Sequence, residues 1–138
     1  MNRTEEIELL EQLEQWNSKD EYSQCIQAIE AIPEQERGYL LTVKLSRAYS
    51  NLAVLGDHGV HGTDGEVDGD LIRHAIDLLE SVRTQGENDP YWNSRMGYSC
   101  LMAYRSAATA YEYAKCWLAL APDAPAAQKL SLIHISEP

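Results

Sequence analysis

The sequence predicts an all-α protein built from three pairs of helices. Apolar residues recur at steps of three and four over most of the chain, and this spacing puts them on one face of a helix. No stretch alternates between apolar and polar residues over a useful length, so we expect no sheet. Polar turns, prolines and one glycine-rich segment divide the periodic stretches into six helices.

The first predicted pair covers about residues 5–35. Its apolar positions are Ile7, Leu9, Leu10, Leu13 and Trp16 in the first helix and Tyr22, Cys25, Ile26, Ile29 and Ile32 in the second. The polar stretch "NSKD" forms the turn between the two helices. Pro33 ends the second helix, because the residue before a proline is pushed out of the helical region.

The second predicted pair covers residues 38–85 and contains an inserted loop, residues 53–69. The third helix follows "YLLTVKLSRAYSNL" and the fourth follows "DLIRHAIDLLESV". Asp68 or Asp70 can cap the fourth helix, because a carboxylate accepts hydrogen bonds from the free N–H groups of the first turn. The stretch "TQGEN" ends that helix.

The third predicted pair covers residues 89–122. Asp89 as the N-cap and Pro90 as the first helical residue give a strong start signal for the fifth helix. The sixth helix runs from about Ala107 to Leu118, and "APDAP" ends it.

Aligning the second helix of each pair suggests an internal repeat. The alignment puts Cys25, Ala75 and Ala110 in register, at intervals of 50 and 35 residues. Removing a loop of about sixteen residues from the first interval leaves a period near 34, the length of a tetratricopeptide repeat.

The chain resembles the tetratricopeptide repeat family, and also small acidic bacterial proteins built from such repeats. Met96-Gly97 matches the family's Leu-Gly pair, Ala110 its small residue and Pro122 its terminal proline. The resemblance implies three antiparallel helix pairs stacked as a short right-handed superhelix over residues 1–125. The alternative is a generic helical bundle.

Composition narrows the classes of partner. The formal charge is −11, and ten of the 22 acidic residues lie within residues 1–37. Such a surface repels phosphate groups, so we expect neither a nucleic-acid nor a membrane partner, and any charged partner would be basic. Three cysteines without a C-x-x-C motif, and an N-terminus without an apolar signal region, lead us to expect a reduced, cytoplasmic protein.

No catalytic motif stands out. The chain has no G-x-S-x-G elbow and no glycine motif that would cradle a phosphate. Each cysteine falls on a helix face that reads as buried, where a thiol is inert. We therefore expect neither enzymatic activity nor a cofactor.

The stretch "GDHGVHGTDGEVDGD", residues 56–70, combines two histidines with acidic residues. His58, His61, Asp57 and Asp64 could in principle bind a divalent metal. The many glycines leave the backbone free, however, and a calcium-loop pattern is missing. We predict a solvated loop without a metal, and keep a partner-binding loop and a metal-dependent activity as alternatives.

The resemblance also implies a binding face, because these repeats bind partners on the concave surface formed by the first helix of each pair. It places five residues there: Arg47, Asn51, Tyr91, Tyr98 and Met102. Three of them could hold a peptide backbone or a terminal carboxylate, namely Arg47, Asn51 and Tyr98. The lysines of the family's chaperone-tail clamp have no counterpart here.

We therefore expect a non-enzymatic scaffold that binds a peptide or protein, with the partner's identity and the oligomeric state left open. The alternative is an accessory module of a longer protein whose effector part lies beyond the C-terminus. The last stretch, "LSLIHISEP", resembles translated vector or adaptor sequence. For that reason we leave the tail, residues 126–138, out of the functional argument.

Overall fold

The structure is a computed structural model that describes residues 1–58, 67–104 and 107–123. In these ranges it is entirely helical, without a strand, which confirms the predicted all-α class. The helices are α1 (Arg3–Ser18), α2 (Tyr22–Glu30), α3 (Gly38–Leu55), α4 (Gly69–Ser81), α5 (Arg83–Gly86), α6 (Pro90–Tyr104) and α7 (Ala107–Leu120). The predicted tail and the middle of the predicted loop, residues 59–66, lie outside the described residues.

Two boundaries differ from the sequence-based expectation. Helix α3 continues to Leu55, into the segment predicted as loop, and ends where Gly56 adopts a φ of 69°. Glycine tolerates this left-handed backbone without steric cost, so the helix stops there and not earlier. The stretch after α4 was predicted only to break that helix, but it forms the one-turn helix α5.

Side chains at the helix starts explain most of the other boundaries. The Asn2 side chain accepts a hydrogen bond from the Glu5 N–H at 2.8 Å. Asp68 accepts from the N–H groups of Asp70 and Leu71, so it is the predicted cap of α4. Asp89 accepts from the Tyr91 N–H at 2.9 Å, which confirms the predicted start of α6. Each bond satisfies an amide that has no partner inside its helix.

Helix α2 is capped by a residue distant in sequence. No side chain near its own start caps it. Instead, the Asp57 carboxylate, just beyond the end of α3, accepts hydrogen bonds from the Ser23 N–H at 2.9 Å and from the Ser23 hydroxyl. The His58 N–H donates to the Asp20 carbonyl at 2.8 Å nearby. Asp57 and His58, which lie in the predicted loop just after α3, therefore bind the α1–α2 turn and the start of α2.

The core runs through successive helices in three clusters. The first joins α1, α2 and α3 around Leu13, Ile29 and Leu45. The second joins α3, α4 and α6 around Leu79 and Trp92. The third lies between α6 and α7, where the clustered residues are Ala110 and Ala114 with Tyr98, Leu101 and Trp117 packed against them.

Small residues lie where helices approach closely. The Ser46 hydroxyl of α3 donates to the Ala75 carbonyl of α4 at 2.7 Å. Ser46, Ala75 and Ala110 are fully buried.

One burial prediction is wrong. Cys25 and Cys100 are buried as expected, but Cys116 is exposed. Helix α7 is the last described helix, and no described element covers the face that carries Cys116. Periodicity identified a face of α7 but could not show that this face lacks a neighbour.

Candidate functional site

Helices α3 and α6 form the walls of a cleft of about 210 Å³, which we call the α3–α6 cleft. Ile72 of α4 contributes to its floor. The residues that line it are Ser50, Asn51, Val54, Leu55, Ile72, Arg95, Tyr98, Ser99 and Met102. The cleft therefore combines hydroxyl, amide and guanidinium groups with aliphatic walls, a mixture typical of ligand sites.

The structure brings three of the five predicted site residues together. Asn51 from α3 and Tyr98 and Met102 from α6 line the same cleft. Arg47 and Tyr91 do not line it. Contact between any of the five and a partner stays a prediction.

Arg47 is paired within the chain. Its Nη2 lies 2.9 Å from Oε1 of Glu14 on α1, and the Lys44 Nζ lies 2.9 Å from the same oxygen. Burial by itself would lower the pKa of Arg47, but Tyr91 and Glu14 outweigh it and raise that pKa. Arg47 therefore connects α3 to α1, and it shares the single carboxylate of Glu14 with Lys44.

Tyr91 lies beside this ion pair. The Lys44 ammonium is 5.1 Å from the centroid of the Tyr91 ring, within the range of a cation–π contact. Tyr91 thus lies beside the cations Lys44 and Arg47, next to the cleft and not inside it.

Arg95 also lines the cleft, although the sequence did not single it out. Its Nη2 donates to the Ser50 hydroxyl and lies 3.5 Å from Oδ1 of Asn51. Its Nε is buried without a hydrogen-bond partner among the described residues. Within the same ranges no carboxylate pairs with it, since every ion pair found there involves another cation.

The surroundings of Arg95 disfavour its charge. Burial lowers the pKa of Arg95. Tyr91 and Tyr98 act in the opposite direction, but burial and the positive charge of Arg47 together outweigh them. Asn51, which faces the guanidinium, is held by a hydrogen bond from its Nδ2 to Oδ1 of Asn17 at 3.2 Å. The two acceptors that face Arg95, the Ser50 hydroxyl and the Asn51 amide, are neutral, and Asn17 of α1 helps to fix Asn51.

The composition of α3 and α6 is a sequence signal for this site. The 18 residues of α3 and the 15 residues of α6 contain no Asp or Glu, although the chain has 22 acidic residues. The two helices do carry Lys44, Arg47 and Arg95. The formal charge of −11 therefore describes the surface as a whole but not the neighbourhood of the cleft.

The mouth of the cleft is apolar. Leu55 is 44% exposed and Met102 is 37% exposed, and both line the cleft. The Tyr98 ring packs edge-to-face on Trp117 of α7, with 6.2 Å between centroids. This contact orients Tyr98 from behind, so one wall of the cleft depends on α7.

A larger depression of about 570 Å³ lies elsewhere, near the start of α3 and the end of α4. Several of its polar groups are already engaged. The Arg37 Nε donates to the Ile32 carbonyl, the Tyr39 hydroxyl to Asp89 and the Ser81 hydroxyl to the Leu78 carbonyl. None of the five predicted binding residues lines this depression.

The histidine-containing loop shows no metal centre in its described part. No group of three or more His, Cys, Asp or Glu residues that could hold a metal is found among the described residues. Asp57 is engaged with Ser23, and these hydrogen bonds lower the pKa of Asp57 although burial acts in the opposite direction. His61 and Asp64 lie outside the described residues.

In the described part of the chain, no helix is both long and apolar enough to cross a membrane. No protein-family model matches the sequence, and no curated protein or solved structure matches it. The geometry of the α3–α6 cleft is therefore the basis for assigning a function.

Proposed function

We propose that the protein is a non-enzymatic interaction scaffold that binds a peptide or protein partner in the α3–α6 cleft. One observation carries this proposal: Asn51, Tyr98 and Met102, from two helices far apart in sequence, line one cavity. Amide and hydroxyl groups can bind a peptide backbone, and the apolar mouth can cover a partner's side chains. A cytoplasmic, bacterial setting belongs to the same proposal.

A stack of three tetratricopeptide-like helix pairs, wound as a short right-handed superhelix, is the architecture that we propose around this cleft. Its support is the order of packing, in which α3 contacts α2 and α4, and α6 contacts α4 and α7. Helices α3 and α6, the first helices of the second and third pairs, also contact each other. In such a stack the first helices line one common face, where the cleft lies.

Selection from random-peptide display libraries tests the proposed function. One library would carry the random residues between fixed linkers, and the other would carry them at a free C-terminus. We expect at least one library to yield peptides that bind the wild-type chain, and the double variant Tyr98→Ala/Met102→Ala to lose that binding. Removing two contact side chains from the centre of an interface typically costs about 2 kcal/mol or more, roughly 30-fold in affinity.

The matched control is Ile7→Ala/Leu120→Ala, which truncates two exposed apolar residues on α1 and α7, outside the cleft. It should bind the selected peptides like the wild type. If neither library yields a binder, or if both double variants bind equally well, the cleft is not a peptide site and the proposed function fails.

A further inference from the structure

We propose that the α3–α6 cleft recognises an acidic side chain, an Asp or Glu of the partner, whose carboxylate pairs with Arg95. This inference rests on the proposed function and specifies the chemistry of the partner. It reverses the expectation drawn from net charge, since the partner's contacting segment would be acidic although the chain itself is acidic.

Around the cleft, cationic side chains outnumber the carboxylates that pair with them among the described residues. Lys44, Arg47 and Arg95 bring three positive charges to α3 and α6. Among the described residues, Glu14 supplies the carboxylate for the first two of them and none for Arg95. A partly buried guanidinium without an anion is costly, because burial removes water and nothing of opposite charge replaces it.

The shape of the cavity gives an external carboxylate access to Arg95. Arg95 lines a cavity that opens to solvent, so an external group can reach it. Ser50 and Asn51 each offer one neutral acceptor and leave Nε unpartnered among the described residues. A carboxylate has two oxygens and matches the fork of guanidinium N–H groups better than a single hydroxyl does.

The size and the rim of the cavity favour the carboxylate of a side chain. At about 210 Å³ the cavity is small, and the exposed aliphatic side chains of Leu55 and Met102 stand at its mouth. A side chain with a methylene stem can pass between them and carry its carboxylate inward while the partner's backbone stays outside. The stem and neighbouring apolar residues of the partner would then cover this rim and exclude water from the ion pair.

The test uses the 138-residue chain and peptides taken from the library with internal random residues. Selected sequences should share an Asp or Glu next to apolar residues. A selected peptide, synthesised with an acetylated N-terminus and an amidated C-terminus, is then labelled for fluorescence anisotropy. Replacing its acid by the matching amide should weaken binding at least about 30-fold, the usual effect of removing one partner of a buried ion pair.

Arg95→Gln should weaken binding of the acidic peptide to a similar degree. It should cause little further loss with the amide peptide, because the interaction is then already absent. Arg73→Gln is the matched control, since it removes the same charge from an exposed position on α4 and should leave the affinity unchanged. The peptide substitution is measured on wild-type protein, so the proposal stays testable even if Arg95→Gln fails to fold.

Three results would overturn the proposal while leaving the proposed function intact. Peptides that bind through Tyr98 and Met102 but lack an acidic residue would do so. So would equal affinities of the acidic and amide peptides. Binders found only in the free C-terminal library would assign Arg95 to a main-chain carboxylate instead. If no peptide from either library binds in a way that depends on the cleft, the proposed function itself fails.

Discussion

At the scale of single residues, the three thiols show how differently one side chain behaves in different places. Cys100 lies in the core cluster with Trp92 and Met96, and burial raises the pKa of Cys100 to about 11. Burial also raises the pKa of Cys25, whose thiol contacts the Leu13 carbonyl at 3.6 Å. Cys116 is exposed on α7. Only the thiolate is nucleophilic, so accessibility and burial together decide which thiol reacts.

We expect iodoacetamide to add one group per native molecule at neutral pH, at Cys116. In denaturant all three thiols should react. Intact-mass spectrometry counts the adducts, and digestion locates them. A native chain that takes up two or more groups at comparable rates would show that Cys25 or Cys100 is less protected than the structure indicates, and Cys116→Ser should abolish the fast reaction.

At the scale of elements, the junction between α4 and α6 depends on one glycine. Trp92 of α6 is 1% exposed, and its indole N–H donates to the Leu79 carbonyl of α4 at 2.9 Å. A Cβ atom on Gly86 would lie 2.3 Å from this indole. The turn of α5 therefore requires a residue without a side chain, so that the ring can pack against its backbone.

We expect Gly86→Ala to lower the free energy of unfolding by about 1–3 kcal/mol, because either the buried indole or α5 must move. Gly69→Ala is the control. It lies in the first turn of α4, and its Cβ would meet nothing closer than the Arg73 side chain at 3.8 Å. Urea melts followed by tryptophan fluorescence compare the two. Equal midpoints for both variants would contradict the packing described for Gly86.

At the scale of the whole molecule, contacts distant in sequence tie the N-terminal helices to the rest. Glu14 of α1 binds Lys44 and Arg47 of α3, and Asp57 caps α2 across 34 residues. Burial alone would raise the pKa of Glu14, but its hydrogen bonds to Arg47 and Lys44 hold that pKa below the ordinary value. A carboxylate whose pKa is lower in the folded state stabilises that state above its unfolded pKa, and loses this contribution as pH falls through the folded value.

We expect Glu14→Gln to lower stability by about 1 kcal/mol at pH 7, a modest amount because half of the Glu14 side chain is exposed to solvent. The difference from wild type should shrink as pH falls below the ordinary value of 4.5 and through the lowered folded pKa of Glu14, because Glu14 of the wild-type protein then becomes protonated as well. Urea melts between pH 3 and pH 7 measure it. Glu11→Gln, exposed on the same helix, should show no such change. A Glu14→Gln deficit that persists at the lowest pH would mean that packing, and not charge, causes the loss.

The sequence by itself determined the features that depend on neighbours along the chain. Helical spacing of apolar residues identified six of the seven described helices, and the capping residues Asp68 and Asp89 located the starts of α4 and α6. These predictions succeed because a helix satisfies its own backbone, and the starts of α4 and α6 depend on residues within one turn. Three of the five binding residues that the family resemblance implies also line one cleft.

Only the tertiary structure decided which charges meet. Arg47, predicted to bind a partner, is paired with Glu14, whereas Arg95 lies in the cleft without a carboxylate among the described residues. The tertiary structure also showed that Asp57, which was predicted to lie in a loop, caps α2, and that Cys116 is exposed. The physical reason is the same in each case. Ion pairs, distant caps and burial depend on the distance between atoms that the chain separates by tens of residues, and packing alone sets that distance.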